Sequence, residues 1–259
     1  MPLLPHLPGY QTTEIIHAGS QSILYRAISQ DGTACILKTL RAEYPSSAQI
    51  AGLKHEYQII ADLDLPGVIQ PLHLETLQNR LFLVIEDIGG RSLKQQISKG
   101  PIPFDTALTI ALQIARTLGT LQAHNITHKD IKPANIIYNP NSNLAKLSDF
   151  TLATRISTET THPLNPKQLE GTLAYLSPEQ TGRMNRTIDY RTDFYSFGVT
   201  LYELFSGQLP FQSPDPLVLI HSHIAKAPKP IPEPTTGITQ PRSPPSIAKH
   251  DGQNAEEPL

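Results

Sequence analysis

The chain has 259 residues and only one cysteine, Cys35, so no disulfide can form within it and an intracellular setting is the default. Cys35 itself reads as a small apolar residue buried in a strand. No apolar run approaches the ~18 residues that would suggest a bilayer-spanning helix, and no basic-plus-apolar leader opens the sequence. The expectation is a soluble, cytoplasmic protein without membrane contact. Charge of neither sign dominates: 21 Lys and Arg stand against 23 Asp and Glu, a net charge of −2. That balance argues against nucleic acid or an anionic membrane as a partner. Arg183, Arg186 and Arg191 form a short, interrupted basic cluster that reads as loop surface. Ten histidines invite a metal search. His124 and His128, however, straddle an expected helix end, and His221 and His223 point to different faces of a helix, so spacing supports no structural metal site.

There is enough chain for a large core in one or two lobes. Residues 1–9 are Pro-rich and expected to be loose. Residues 10–88 read as a small β-rich unit with strands near Tyr10–Ala18, Ser22–Ile28, Ala34–Thr39, Ile69–Thr76 and Leu81–Glu86. Asp31-Gly32 is a hairpin signal, and a helix carrying Leu53, Tyr57 and Ile60 at helical spacing interrupts the strands. From Arg91 onward the pattern is helical. Phe104, Leu108, Ala111, Leu112, Ala115, Leu118 and Leu121 define one broad apolar face on a buried scaffold helix. Short strands are expected in 136–153, a helix over 193–207 ended by Gly207 with Pro210 beyond, and a last helix over 215–226. Residues 227–259 are rich in Pro, Ser, Gln and Asn without apolar periodicity, a composition expected to remain disordered.

The chemistry concentrates in His128-Lys129-Asp130-Ile131-Lys132-Pro133-Ala134-Asn135 and the later Asp149-Phe150. An acid, a cation, an amide and a second acid at these separations suit moving a phosphoryl group from a nucleotide–magnesium complex to a hydroxyl, a reaction that needs positioning and charge neutralisation more than covalent help. Asp130 fits the acid that orients the acceptor hydroxyl and takes its proton. Lys132 neutralises charge on the transferring phosphate. Asn135 offers a carbonyl oxygen, and Asp149 a hard anionic oxygen, to Mg²⁺. His128 reads as a packed structural residue.

These motifs resemble the eukaryotic-type Ser/Thr protein kinases: H-R-D-x-K-x-x-N with Lys129 for Arg, and D-F-G with Thr151 for Gly. The resemblance implies a bilobal fold of class α+β, a β-rich N-lobe over 10–88 and a helical C-lobe over 89–226, with ATP and Mg²⁺ as cofactors and a protein as substrate. It implies that Lys38, closing Cys35-Ile36-Leu37-Lys38, binds phosphates and pairs with Glu56. Gly19 and Leu24 fall on the glycine-loop pattern, where His17 and Ser22 replace the other glycines. Ile36 lies over adenine, Ile137 completes the nucleotide contacts, and the Glu86 carbonyl and Ile88 N–H serve the base at a hinge that Ile85 gates. Gly171-Thr172-Leu173-Ala174-Tyr175-Leu176-Ser177-Pro178-Glu179 resembles the end of an activation segment, with Thr172 touching the catalytic Asp and Lys. Asp193 resembles the helix-start acid that anchors the catalytic loop, and by itself it also reads as an N-cap. The segment 177–198 is similar to the N-terminal kinase module of large bacterial multi-sensor signalling proteins, which implies downstream sensor or ATPase modules as partners.

Some departures carry expectations of their own. Lys129 keeps charge but loses the bidentate fork of Arg, so Ser157, Thr158, Thr160 and Thr161 are only candidate phosphorylation sites. Thr151 removes glycine's backbone freedom after Asp149 and favours one state of the switch. The C-lobe is expected to be incomplete. No segment after 226 supplies the Arg that pairs with Glu179, since Arg242 lies in a Pro/Ser run, and Glu179 is therefore expected to be a buried, unpaired carboxylate. Two readings besides a working kinase stay open: a pseudokinase-like binding module, and an inactive fragment.

Overall fold

A computed structural model describes residue 4 and residues 6–61, 63–155, 173–184 and 186–231. Among them the chain forms a five-stranded antiparallel sheet, in the order β1-β2-β3-β5-β4, followed by a mainly helical lobe. The sheet strands are β1 (Tyr10–Ala18), β2 (Ser22–Ser29), β3 (Ala34–Leu40), β4 (Pro71–Leu77) and β5 (Arg80–Glu86). Helix α1 (Ser47–Ile60) interrupts them. It starts at a capping box in which Ser46 and Gln49 satisfy one another's backbone amides.

Strand alternation decides what each face of this sheet does. Cys35 and Leu37 on β3 join Tyr25, Ala27, Phe82 and Val84 in a small core on one face. Ile36 and Lys38 alternate with them, so they point to the opposite face. Burial pushes the Cys35 thiol up to about 11, so it packs as an apolar residue and is not a reactive thiol. Leu7, within the stretch expected to be loose, is 4% exposed and belongs to the same small core.

The second lobe contains β6 (Arg91–Ser92), α2 (Leu93–Ile97), α3 (Phe104–Ala123), β7 (Ile126–Thr127), β8 (Ile136–Asn139), β9 (Leu144–Leu147), β10 (Thr154–Arg155), α4 (Arg191–Ser206) and α5 (Pro216–Ala225). β6, β8 and β9 form a three-stranded sheet, and β7 pairs with β10. The main core gathers Ile110, Ile114, Leu118 and Leu121 of α3 with Ile136, Leu147 and Phe150, and it reaches α1 through Ile59 and Ile60. One packed unit thus connects the two lobes beneath the cleft.

The buried face of α3 differs from the expected one. Ala107, Ile110, Ala111, Ile114, Leu118 and Leu121 are inside, while Phe104, Leu108 and Leu112 are 50%, 42% and 53% exposed and Ala115 is exposed too. The helix is apolar on more than one stripe, and contact with β7 and β9 selects only one of them. Among the described residues no helix is long and apolar enough to cross a membrane.

The junction of the lobes depends on close backbone approach. A Cβ on Gly90 would lie 2.8 Å from Ile137 Cγ2 and 3.0 Å from the Tyr138 backbone. Gly90→Ala should therefore cost about 1–3 kcal/mol, the range for overpacking, read as a lowered Tm. An unchanged melting curve would show that β8 yields freely here.

Candidate active site

β3 and α1 bring the first charged pair together. Lys38 Nζ donates to Glu56 Oε1 at 2.8 Å and Oε2 at 2.7 Å, and to Asp149 Oδ1 at 3.0 Å. Lys38 and Glu56 are 7% and 4% exposed. Burial alone would lower the Lys38 pKa, but Asp149 and Glu56 outweigh it and hold the ammonium above the ordinary lysine range. Burial likewise would raise Asp149. The Lys38 ammonium and the Thr151 hydroxyl prevail and hold that carboxyl well below the usual carboxylate range.

The loop between β7 and β8 carries the second group. Lys132 Nζ donates to Asp130 Oδ2 at 2.7 Å. Asn135 Nδ2 donates to the Asp130 carbonyl at 2.9 Å and to Oδ2 at 3.0 Å. The Asn135 amide nitrogen is thus taken up, which leaves its carbonyl oxygen as the atom a cation could use. Asp130 is 9% exposed, and its Oδ1 is buried with no hydrogen-bond partner. A buried, unsatisfied acceptor is costly in a folded protein and marks a place for a donor that arrives with a ligand.

This loop is held from below. Asp193 Oδ2 accepts from the His128 amide and Oδ1 from the Lys129 amide, each at 2.7 Å. Burial raises the Asp193 pKa against the pull of His128 and those amides. Asp193 lies in the first turn of α4 and not at its N-cap, which is Tyr190. Of the two roles expected for Asp193, the structure places its carboxylate on the loop amides. Lys129 and Asp149 both have positive φ, +68° and +66°, a conformation uncommon for non-Gly residues. His128 is fully buried: Nδ1 accepts from the Asp130 amide at 3.3 Å, Nε2 reaches Ser148 O at 3.1 Å, and the ring lies 4.5 Å from Phe150. It is the packed residue expected.

The remaining expected nucleotide contacts lie around the cleft. β-sheet register sets Leu24 opposite both His17 and Lys38, and Ile36 opposite Ile85. Ile137, on β8, approaches Gly90. The Ile88 carbonyl accepts from Asn139 Nδ2 at 2.6 Å. Gly19 closes the β1–β2 turn by donating to Ser22 O at 3.0 Å, and the His17 ring lies over it.

The Glu86 side chain, unremarked in the sequence, is clamped by Lys146 Nζ at 2.6 Å and the Gln70 amide at 2.7 Å. Gln180 donates to Lys129 O at 2.8 Å and accepts from the Ser177 amide at 3.1 Å, tying the Ser-Pro-Glu segment to the catalytic loop. The S-x-x-Q spacing at 177–180 is a capping-box signal that could have drawn attention to it.

Glu179 corrects an expectation. It is half-buried, not buried, and its Oε1 accepts from Thr192 Oγ1 at 2.6 Å. A hydroxyl from the start of α4 takes part of the role expected of an arginine. Gly171, Thr172, Ser157, Thr158, Thr160, Thr161, Arg242 and the tail from 232 lie outside the described residues.

No three His, Cys, Asp or Glu side chains among the described residues form a metal cluster. Two donors, Asn135 and an Asp149 held in its anionic form, fit Mg²⁺, which keeps several waters and binds through one or two carboxylates plus substrate phosphates.

A β-sheet lobe joined to a helical lobe carries a Lys–Glu–Asp cluster, and Ser148, next to Asp149, donates its amide to Asn135 O of the Asp–Lys–Asn loop at 2.9 Å, so the two charged groups adjoin, as phosphoryl transfer requires. The description "protein kinase domain" matches residues 10–246, so the chain belongs to that family. The match continues past 226, where the sequence resemblance was read to end. A probable serine/threonine-protein kinase of Clostridium perfringens is 31% identical over 218 residues, covering 83% of this chain and 31% of the relative. Serine/threonine-protein kinase PrkC of Bacillus subtilis is 31% identical over 219 residues, 83% of this chain and 33% of the relative. Serine/threonine-protein kinase PknB of Mycolicibacterium smegmatis is 30% identical over 230 residues, 85% and 36%. The chain spans about a third of the length of these relatives.

Proposed function

We propose that this chain is an ATP- and Mg²⁺-dependent kinase module that phosphorylates serine or threonine hydroxyls of proteins. The observation that carries the reading is the buried, unpartnered Asp130 Oδ1 beside Lys132 and Asn135. An incoming hydroxyl donates to that oxygen. The bond between the γ-phosphorus and its bridging oxygen breaks as the hydroxyl oxygen bonds to phosphorus, and ADP leaves. Asp130 takes the hydroxyl proton late. Lys132 offsets charge on the transferred group, and Lys38, positioned by Glu56, holds the phosphates that stay behind. Asn135 and Asp149 hold Mg²⁺, which when bound offsets phosphate charge. Leu24, Ile36 and Ile137 surround the adenine, with Glu86 and Ile88 at its edge and Gly19 over the phosphates.

The finer setting is also a proposal: a cytoplasmic bacterial signalling module, with lobes at 10–88 and 89–226, working beside sensor or ATPase modules. The wording of 177–198 supports this setting.

Purified chain with Mg-ATP should label itself or a generic Ser/Thr protein. Asp130→Asn should lower that rate about a hundredfold, within the range for a lost general base, while a nucleotide-induced rise in Tm persists. Labelling that is absent from wild type, or unaffected by Asp130→Asn, overturns the reading. The His17 ring over the single retained loop glycine favours a second reading, a binding module that does not turn over, and a flat assay with an intact cooperative melt would support it.

A further inference from the structure

Thr151 stands where the family motif has glycine, and its hydroxyl touches two carboxylates at once, with its methyl toward Gly52. Its hydroxyl lies 2.9 Å from Glu56 Oε2 and 2.7 Å from Asp149 Oδ1. Its methyl lies on the other side, where a Cβ added to Gly52 would be 3.7 Å from Thr151 Cγ2. Gly52 and Glu56 are one helical turn apart, on one face of α1. The threonine therefore seats its polar arm on the Glu56 carboxylate and its apolar arm over the backbone one turn earlier.

The chain then continues along the helix. His55 Nε2 meets Ala153 O at 2.7 Å, and Arg155 Nη2 donates to Ile59 O at 3.1 Å. Residues 151–155 thus follow α1 with a contact at every second residue, and Thr151 is the first. No glycine could make it.

The electrostatics explain what the contact does. Glu56 and Asp149 are two carboxylates in one site, and like charges repel. Lys38 joins them on one side, donating to Glu56 Oε1, Glu56 Oε2 and Asp149 Oδ1. Thr151 joins them on another, sharing one proton between the pair. Asp149 Oδ1 is then held by both Lys38 and Thr151, so Oδ2 is the oxygen left for a cation.

We propose that Thr151 is a positioning residue. Its hydroxyl latches α1, through Glu56, to the metal-binding Asp149 and makes the aligned Lys38–Glu56–Asp149 arrangement the resting state of this chain. The inference rests on the proposed function for its kinetic consequence and on geometry alone for the latch. A residue that departs from the family pattern thereby adds a link that the pattern lacks.

The test compares Thr151→Val, which keeps shape and loses the hydroxyl, with Thr151→Ser, which keeps the hydroxyl, and Thr151→Gly, the family residue. Two readouts are taken on the full chain. Hydrogen exchange of the α1 backbone, without nucleotide, should quicken about tenfold in Thr151→Val and Thr151→Gly, the effect of one lost bond to a charged group, and remain near wild type in Thr151→Ser. In the transfer assay, the Mg²⁺ concentration for half-maximal rate should rise about tenfold in the first two and be restored in Thr151→Ser, with the KM for protein substrate unchanged. Exchange and Mg²⁺ dependence in Thr151→Val that match wild type overturn the latch. Wild type that transfers no phosphate defeats the proposed function, while the exchange comparison still decides the latch.

Discussion

Lys38→Ala should lower phosphoryl transfer about a thousandfold, at the upper end of what one preorganised donor supplies, and should also destabilise the fold. The second effect separates this position from an ordinary surface lysine. Glu56 is 4% exposed and takes both of its oxygens' charge-assisted bonds from Lys38. Removing the cation leaves a buried carboxylate beside a second one, and breaking a buried pair from one side costs about 3–5 kcal/mol.

The pH dependence has a definite sign. In wild type the lowered Asp149 pKa contributes stability above the ordinary carboxylate value of about 3.9, and that contribution is lost as pH falls through the depressed value. The raised Lys38 pKa contributes stability that is complete below about 10.4 and is lost as pH rises through the elevated value. Those two contributions are therefore complete between the two limits, while Glu56, whose pKa burial raises against the pull of Lys38, opposes them as pH rises above about 4.3. In Lys38→Ala the uncompensated Glu56 favours its protonated form, so the deficit relative to wild type grows as pH rises above about 4.3. Denaturant melts at pH 5 and pH 8 measure this, and a deficit that shrinks toward pH 8 would contradict the account. Lys38→Met, which restores bulk without charge, should recover part of the stability and none of the activity.

Asp193→Ala should cost about 3 kcal/mol and lower Tm by roughly 10 °C. Two amides, that of the buried His128 and that of the half-buried Lys129, lose the charged acceptor that holds them at 2.7 Å. The consequence for chemistry follows from the backbone. Lys129 sits at φ +68°, and such a conformation persists only where its surroundings enforce it. Once released, the loop relaxes and Asp130 moves off the line of transfer, and a displacement of about 1 Å is enough for a hundredfold loss of rate. Asp193→Asn, keeping one acceptor oxygen, should fall between. Asp189→Ala serves as the control. Its ion pair with Arg191 is largely exposed on the arginine side, and exposed pairs contribute about 0–1 kcal/mol. Equal melts for Asp193→Ala and Asp189→Ala would show that the loop is held by something else.

Much of this molecule was legible without coordinates. The strands expected from the sequence match β1 to β5 within a residue or two, because strand-forming runs bounded by turn residues such as Asp31-Gly32 are local signals. Gly207 read as a helix end because capping is a local matter between neighbours, and the structure puts it at the C-cap of α4. The order and spacing of Asp130, Lys132, Asn135 and Asp149 pointed to phosphoryl transfer, since metal and phosphate chemistry restrict residue types, and the family resemblance added Lys38 and Glu56.

What depended on tertiary structure is of a different kind. Which stripe of α3 is buried depends on the strands it meets, and periodicity cannot choose between two apolar faces of one helix. That Glu179 is half-buried and bonded to Thr192 depends on where the start of α4 falls, far from Glu179's local pattern. Glu86 meets Lys146 across sixty positions, a pairing no local signal carries. Thr151 looked like a lost glycine, and only the position of α1 revealed what its hydroxyl reaches. Local sequence sets propensity, alternation and caps over a few residues. Partner choice between distant side chains is decided by packing, because only the folded core determines which of them are brought within 3 Å of one another.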